Sequence, residues 1–210
     1  MTDFSYYLKD QKIFSCALKY IINNNVSAYN PYHSTFHLLD VFTKSIEISD
    51  TYDELSEIDK IEIGLAALFH DFNHSGGKLK DYENIELSLN GFHDFYLFNY
   101  YTFKELKINY DNIVELIKCT EFPHKSEPKN LKEMIIRDSD LIQCYNKNWF
   151  LNVIMGFFIN EMNIDINTAI ENQIKYINSV SYYTEHSKSI HDSEKETMLK
   201  NLNYFKEIYK

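Results

Sequence analysis

The stretch SEIDKIEIGLAALFHDFNHSGG, residues 56–77, constrains the fold more than any other part of the chain. Ile61, Leu65, Leu68 and Phe72 fall at i, i+4, i+7 and i+11, the spacing of one apolar stripe on an α-helix. Ser56 with Asp59 three residues on has the form of a capping box, which sets the helix start. The helix then delivers His70, Asp71 and His74 to its far end and meets Gly76 and Gly77. Three polar side chains at the end of an apolar helix are either a surface turn or a site, and the rest of the chain has to decide between them.

Helical spacing recurs through the sequence. It appears at Ile113, Leu116 and Ile117 behind Asp111 as a cap, at Leu131, Ile135 and Ile142, and at Ile166, Ile170, Ile174 and Ile177. A closing segment is expected to begin at Ser193, with Glu196 three residues later and Leu199, Leu202 and Phe205 in register. With only five Gly and three Pro in 210 residues, breakers are few and neither a linker nor a repeat stands out. The expectation is an all-α protein: a compact single-domain helical bundle of about seven to nine helices over residues 1–210.

A formal net charge of −10 argues against a surface that wraps nucleic acid, so no nucleic-acid partner is expected. A small anionic substrate would need local positive charge, which a metal can supply. Cys16, Cys119 and Cys144 form no CxxC pair, which suits a reducing compartment and buried thiols. The opening MTDFSYYLKDQKIF lacks the charge and apolar pattern of a leader, and no window approaches the roughly 18 apolar residues of a membrane span, so no membrane partner and a cytoplasmic location are expected.

A second histidine pair lies in YNPYHSTFHLLDV. Asn30 as cap and Pro31 in the first turn would put His33, His37 and Asp40 on one helical face. In IIRDSDLIQCY, Asp138 and Asp140 interrupt an apolar helix, and buried carboxylates are rarely tolerated unless paired or bound to a cation. Neutral imidazoles and carboxylates together suit divalent ions, and one aspartate can bridge two of them. A site built from His37, His70, Asp71 and Asp140 would draw two ligands from one helix end and one from each of two others, leaving positions open for water as catalysis requires. Asp138 is the second choice as ligand.

The ordered set of His37, the adjacent His70 and Asp71, and the distant Asp140 resembles the HD-domain metal-dependent phosphohydrolases. Within them the closer likeness is to the class I 3′,5′-cyclic-nucleotide phosphodiesterases, whose signatures are similar to YHxxxHxxDV, met here from Tyr32 to Val41, and to HDxxHxG, met from His70 to Gly76. IKCTEFPH, SDL at 139–141, and Gln173 followed by Tyr176 are weaker likenesses, and together they span about residues 29–180. The chain departs from the family in Ser75, where a proline is usual, and in lacking an evident Glu-Asn-His-His stretch.

The resemblance implies two divalent metal ions (Zn, Mn, Mg or Fe), the first held by His37, His70, Asp71 and Asp140, with Asp71 bridging to the second. It implies His33 as general acid, attack by a hydroxide bridging the metals, His74 beside the water or substrate, and Gln173 with Tyr176 gripping the base of a small-molecule nucleotide. The alternatives on this scaffold are a nucleotidase or (deoxy)nucleotide phosphohydrolase, a redox di-iron enzyme, and a non-catalytic nucleotide-binding or sequestering protein. Elsewhere, Thr120 and Glu121 are candidates for orienting a ligand histidine, His124 closes one motif, and His93, His186 and His191 read as surface residues. The runs FYLFNYYTF and WFLNVIMGFF read as core or pocket wall.

Overall fold

In the computed structural model, which describes residues 12–209, the helix carrying the apolar stripe lies at the centre of the molecule. The described residues form α1 (Lys12–Asn24), α2 (Thr35–Ser49), α3 (Glu57–Phe69), α4 (Asp81–Phe98), α5 (Tyr100–Leu106), α6 (Tyr110–Lys118) and α7 (Leu131–Leu141). A 3₁₀ turn (Ile142–Tyr145), a π-helix (Phe150–Glu161), α8 (Ile166–Ser179) and α9 (Glu185–Ile208) complete the chain. The fold is all-α, and nine α-helices plus a π-helix put the count slightly above expectation. The reading of the opening MTDFSYYLKDQ and the outer limits of the expected 1–210 domain lie outside the described residues.

Helix α3 starts where the sequence places it. The Ser56 side chain accepts from the Asp59 amide and the Asp59 carboxylate answers the Ser56 amide. Every residue from Ile61 to Phe69 is buried, so the helix is enclosed all round rather than on one stripe. Helices α1, α2, α4, α6 and α7 pack around it. Gly64 permits the closest approach, since a Cβ there would lie 2.8 Å from the Phe14 ring. A smaller core joins Ile154 of the π-helix, Ala169, Ile170 and Ile177 of α8, and Met198 and Leu202 of α9. No helix among the described residues is long and apolar enough to cross a membrane.

Three helix starts differ from expectation, each because another group takes the backbone donors. Helix α2 begins after Ser34, not after Asn30, because Glu161 accepts the Tyr32 and His33 amides that a helix starting earlier would leave free in its first turn. His33 therefore precedes the helix and does not share a helical face with His37. Helix α6 is capped by Asn109, whose side chain accepts from the Asp111 amide. Helix α9 begins after Thr184, whose side chain caps Ser187, and it runs straight through Ser193, whose hydroxyl donates to Ile190 O. Ile142 falls in the 3₁₀ turn beyond α7. Cys16 is exposed and Cys119 half-buried, leaving Cys144 as the buried thiol. Phe95 and Phe103 are core, but Phe98 and Tyr101 of the same aromatic run face solvent.

Candidate active site

Helix α3 ends at Phe69, and His70 to Asn73 form the turn that follows. Two hydrogen bonds fix this turn. His70 Nδ1 donates to Ala67 O at 2.8 Å, which leaves the Nε2 lone pair free, and Ser88 Oγ of α4 donates to His70 O at 2.7 Å. Gly91 of α4 is needed here, since a Cβ there would lie 2.1 Å from the Phe72 ring.

Four donor atoms from three helices then converge. His70 Nε2 is 3.1 Å from Asp71 Oδ2 and 3.8 Å from Asp140 Oδ1. His37 Nε2 of α2 is 3.2 Å from Asp71 Oδ2, 3.3 Å from Asp140 Oδ1 and 3.3 Å from His70 Nε2. Donors about 2.1 Å from a shared ion stand roughly 3.0–3.4 Å apart, so most of these spacings are those of a coordination shell. His37, His70 and Asp71 form a group that could hold a metal ion, and Asp140 borders it on the cavity side.

The electrostatics point the same way. Burial disfavours a charged His37, yet the hydrogen bonds to Asp140 and Asp71 outweigh it and lift its pKa to about 10. His70 is raised for the same reason, Asp71 opposing its burial. Asp71 and Asp140, which burial would raise, are both lowered by the facing imidazoles. Two carboxylates enclosed with two imidazoles demand positive charge, and a divalent cation satisfies that demand without protonating a ligand.

Beside the cluster stands an arrangement the sequence reading missed. His33 Nδ1 and Glu161 Oε2 are 2.5 Å apart, while the His33 Nε2 edge reaches to 3.9 Å from Asp71 Oδ2. Burial would raise the Glu161 carboxyl, but the His33 ring and the Tyr32 and His33 amides hold it below its ordinary value. Glu161 ends the π-helix, and it reaches this place because Gly76 and Gly77 both take positive φ, at 67° and 79°. A Cβ on Gly77 would stand 2.6 Å from Glu161 O. The double glycine after the histidines is thus what lets the carboxylate in.

His74 stacks on His33, ring centroids 3.6 Å apart, and its Nδ1 accepts from the Gly76 amide. Burial lowers its pKa to about 4, so the ring is neutral with its proton on Nε2. His33, His74 and Glu161 also lie close enough together to hold a metal, but the Nδ1 atoms of both rings are already engaged, by Glu161 and by Gly76.

His33, His74 and Asp140 face a cavity of about 430 Å³ whose wall also includes Tyr32, Asp81, Asn84, Val153, Phe157, Phe158, Gln173 and Tyr176. Gln173 is 2% exposed and its Nε2 has no hydrogen-bond partner, while Tyr176 donates to Leu141 O at 3.2 Å. The expected core-or-pocket role of the second aromatic run holds for Phe157 and Phe158.

The other candidates fall elsewhere. Asp138 points away from the cluster and accepts from Tyr183 N, Thr184 N and Thr184 Oγ1, fastening the start of α9. Asp40 accepts from Asn146 rather than joining His37. Thr120 bonds to Ile117 O and Glu121 pairs with Lys125, so neither touches a cluster histidine. His124 Nδ1 donates to Glu121 O. His93 is exposed, but His186 and His191 are half-buried, the latter 2.6 Å from the Tyr145 hydroxyl.

Fold and site together define a class: a helical protein with a buried His/Asp cluster that could hold metal, opening on a cavity the size of a small-molecule site. The chain matches no protein-family model and no curated protein sequence.

Proposed function

We propose that the protein is an HD-type metal-dependent phosphohydrolase that opens a 3′,5′-cyclic nucleotide to the nucleoside monophosphate. The observation that carries this reading is one juxtaposition. The His37–His70–Asp71–Asp140 cluster and the His33–Glu161 pair adjoin each other, His33 Nε2 lying 3.9 Å from Asp71 Oδ2, and Asp140 and His33 line one cavity with the unpartnered Gln173 amide also in its wall. His37, His70, Asp71 and Asp140 would hold the first divalent ion, and Asp71 would help hold a second. The ions, when bound, neutralise phosphate oxygens and lower the pKa of water.

The chain's own groups supply the rest. His33, protonated and held through Nδ1 by Glu161, presents Nε2–H toward the metal cluster and donates that proton to the departing ribose oxygen. Glu161 fixes the ring's orientation. His74, neutral, presents Nε2–H beside it and buttresses His33 by stacking. The Gln173 amide pairs with the edge of the base, the apolar rings of Phe157 and Phe158 cover its face, and Tyr176 stands beside it.

A nucleotidase releasing inorganic phosphate needs no acid for a ribose leaving group, so the His33–Glu161 pair favours the cyclic substrate. The decisive experiment is product analysis of metal-reconstituted protein against 3′,5′-cyclic nucleotides, nucleoside mono- and triphosphates and cyclic dinucleotides. Linear monophosphate from a cyclic mononucleotide is the expected product. Inorganic phosphate or triphosphate as product overturns the cyclic-nucleotide reading, and nucleotide binding without turnover makes the protein a sequestering one.

A further inference from the structure

A second cavity, of about 470 Å³, shares only Tyr32 with the first and takes His37 as part of its wall. That volume lies within the roughly 300–1,000 Å³ of small-molecule sites. Its polar wall is formed by Ser34, His37, Asp40, Gln143, Asn148 and Asn152. Ser34 caps α2 in position only: its hydroxyl makes no capping bond, although the residue is 8% exposed. Gln143, equally buried, donates Nε2 to Ser139 O. His37 turns Nε2 to the carboxylates, and its Nδ1 has no partner among the described residues.

A concave, mostly polar wall with donors and acceptors to spare suits a polar guest. The guest's chemistry follows from the wall. No lysine or arginine lines it and Asp40 adds a carboxylate, which disfavours phosphates and carboxylates. The amides of Gln143, Asn148 and Asn152 offer paired donors and acceptors of the kind that match a base edge, and Asp40 can accept from an exocyclic amine. Tyr29 and Phe36, 98% and 75% exposed, are aromatic surfaces at the same cavity on which a planar ring can stack.

We propose that this cavity is a second ligand site that binds a neutral nucleoside, separate from the cavity of the His33–Glu161 pair.

The test is isothermal titration of the full chain, without metal or substrate, with adenosine, guanosine and cytidine, and with adenosine monophosphate and maltose for comparison. The expected result is saturable binding of at least one nucleoside at one site, tighter than the monophosphate. Binding should weaken at least tenfold in Asn152→Leu and change less than twofold in Gln173→Leu. Phe36→Ala removes only an exposed ring, and it should weaken binding at least threefold even if Asn152→Leu misfolds. Absence of nucleoside binding, tighter binding of maltose, loss in Gln173→Leu alone, or unchanged affinity in Phe36→Ala overturns the proposal. None of these outcomes bears on phosphohydrolysis, because no turnover is measured.

Discussion

Glu161 and His33, 128 positions apart in sequence, meet with Oε2 and Nδ1 separated by 2.5 Å, and the same carboxylate also accepts the His33 and Tyr32 amides. One acidic residue at the end of a π-helix thereby sets the entry of α2 and the orientation of the His33 ring. π-Helical segments cluster at functional sites because they re-aim side chains that a regular helix would point elsewhere.

If Glu161 serves the acid role of His33, Glu161→Gln keeps the backbone hydrogen bonds and removes the charge. Turnover of a cyclic nucleotide should fall about 10²-fold, within the ordinary range for general acid catalysis, with metal content unchanged. His33→Ala should fall at least as far. A substrate with a nitrophenolate leaving group, which departs without a proton, should restore much of the rate in both. Equal losses on the activated substrate would remove Glu161 and His33 from the acid step.

Metal content separates the cluster from the acid pair. Asp71→Ala deletes an atom about 3 Å from two other donors and His37→Ala one about 3 Å from three, and each should lose bound divalent ion along with activity. His33→Ala should retain it. Elemental analysis after dialysis against excess Mn²⁺ or Zn²⁺ reads the difference, and equal ion loss in all three variants would mean that His33 is a ligand.

Much of this was legible in the residues. The Ser56–Asp59 box, the stripe of α3 and the adjacent His70 and Asp71 are local patterns, and local patterns survive folding when the core agrees with them. Asp140 was visible as a charge inside an apolar helix, and Asp138 beside it looked the same, but only three-dimensional packing distinguishes a carboxylate facing the cluster from one fastening α9. Glu161 had no local signature, because its partners lie more than a hundred residues away. The nearest hint was the double glycine, whose left-handed backbone and missing side chain leave room for the π-helix end.

Gly77→Ala tests that hint. Alanine at φ 79° carries left-handed strain of about 1–2 kcal/mol, and its Cβ meets Glu161 O. The expected outcome is a modest fall in melting temperature with a fall in kcat at least as large as that of Glu161→Gln, since the whole π-helix end must move. A variant that loses stability but keeps full kcat would show that the glycine serves the loop alone.

Away from the site, Lys132 bridges Asp59 at 2.8 Å and the buried Glu62 at 2.9 Å. Replacing it by methionine leaves Glu62 with only Asn109 and Asn112 as partners and should cost about 1.5–3 kcal/mol near neutral pH. Burial would raise Asp59, but Lys132 and Ser56 hold it below its ordinary value of 3.8. The contribution of a lowered carboxyl is present above 3.8 and is lost as pH falls through the depressed folded value. Denaturant unfolding of the two proteins should therefore converge as the pH is taken below 3.8, and a gap that stays constant to pH 2.5 would assign the loss to packing.

Gln173 sets stability against binding. Its Nε2 is buried without a partner, a cost that the folded protein carries when nothing fills the cavity. Gln173→Leu keeps the volume and removes the unpaired amide, so the variant should unfold at a temperature a few degrees higher, a gain of about 1 kcal/mol. If the amide grips a base, the same change should raise KM for the cyclic nucleotide about tenfold or more while leaving kcat within a few-fold, because the reacting phosphate lies at the other residues. A stabilised variant with an unchanged KM would make Gln173 a wall residue and move base recognition to Asn84 or Asp81, the remaining polar groups that line the cavity away from the cluster.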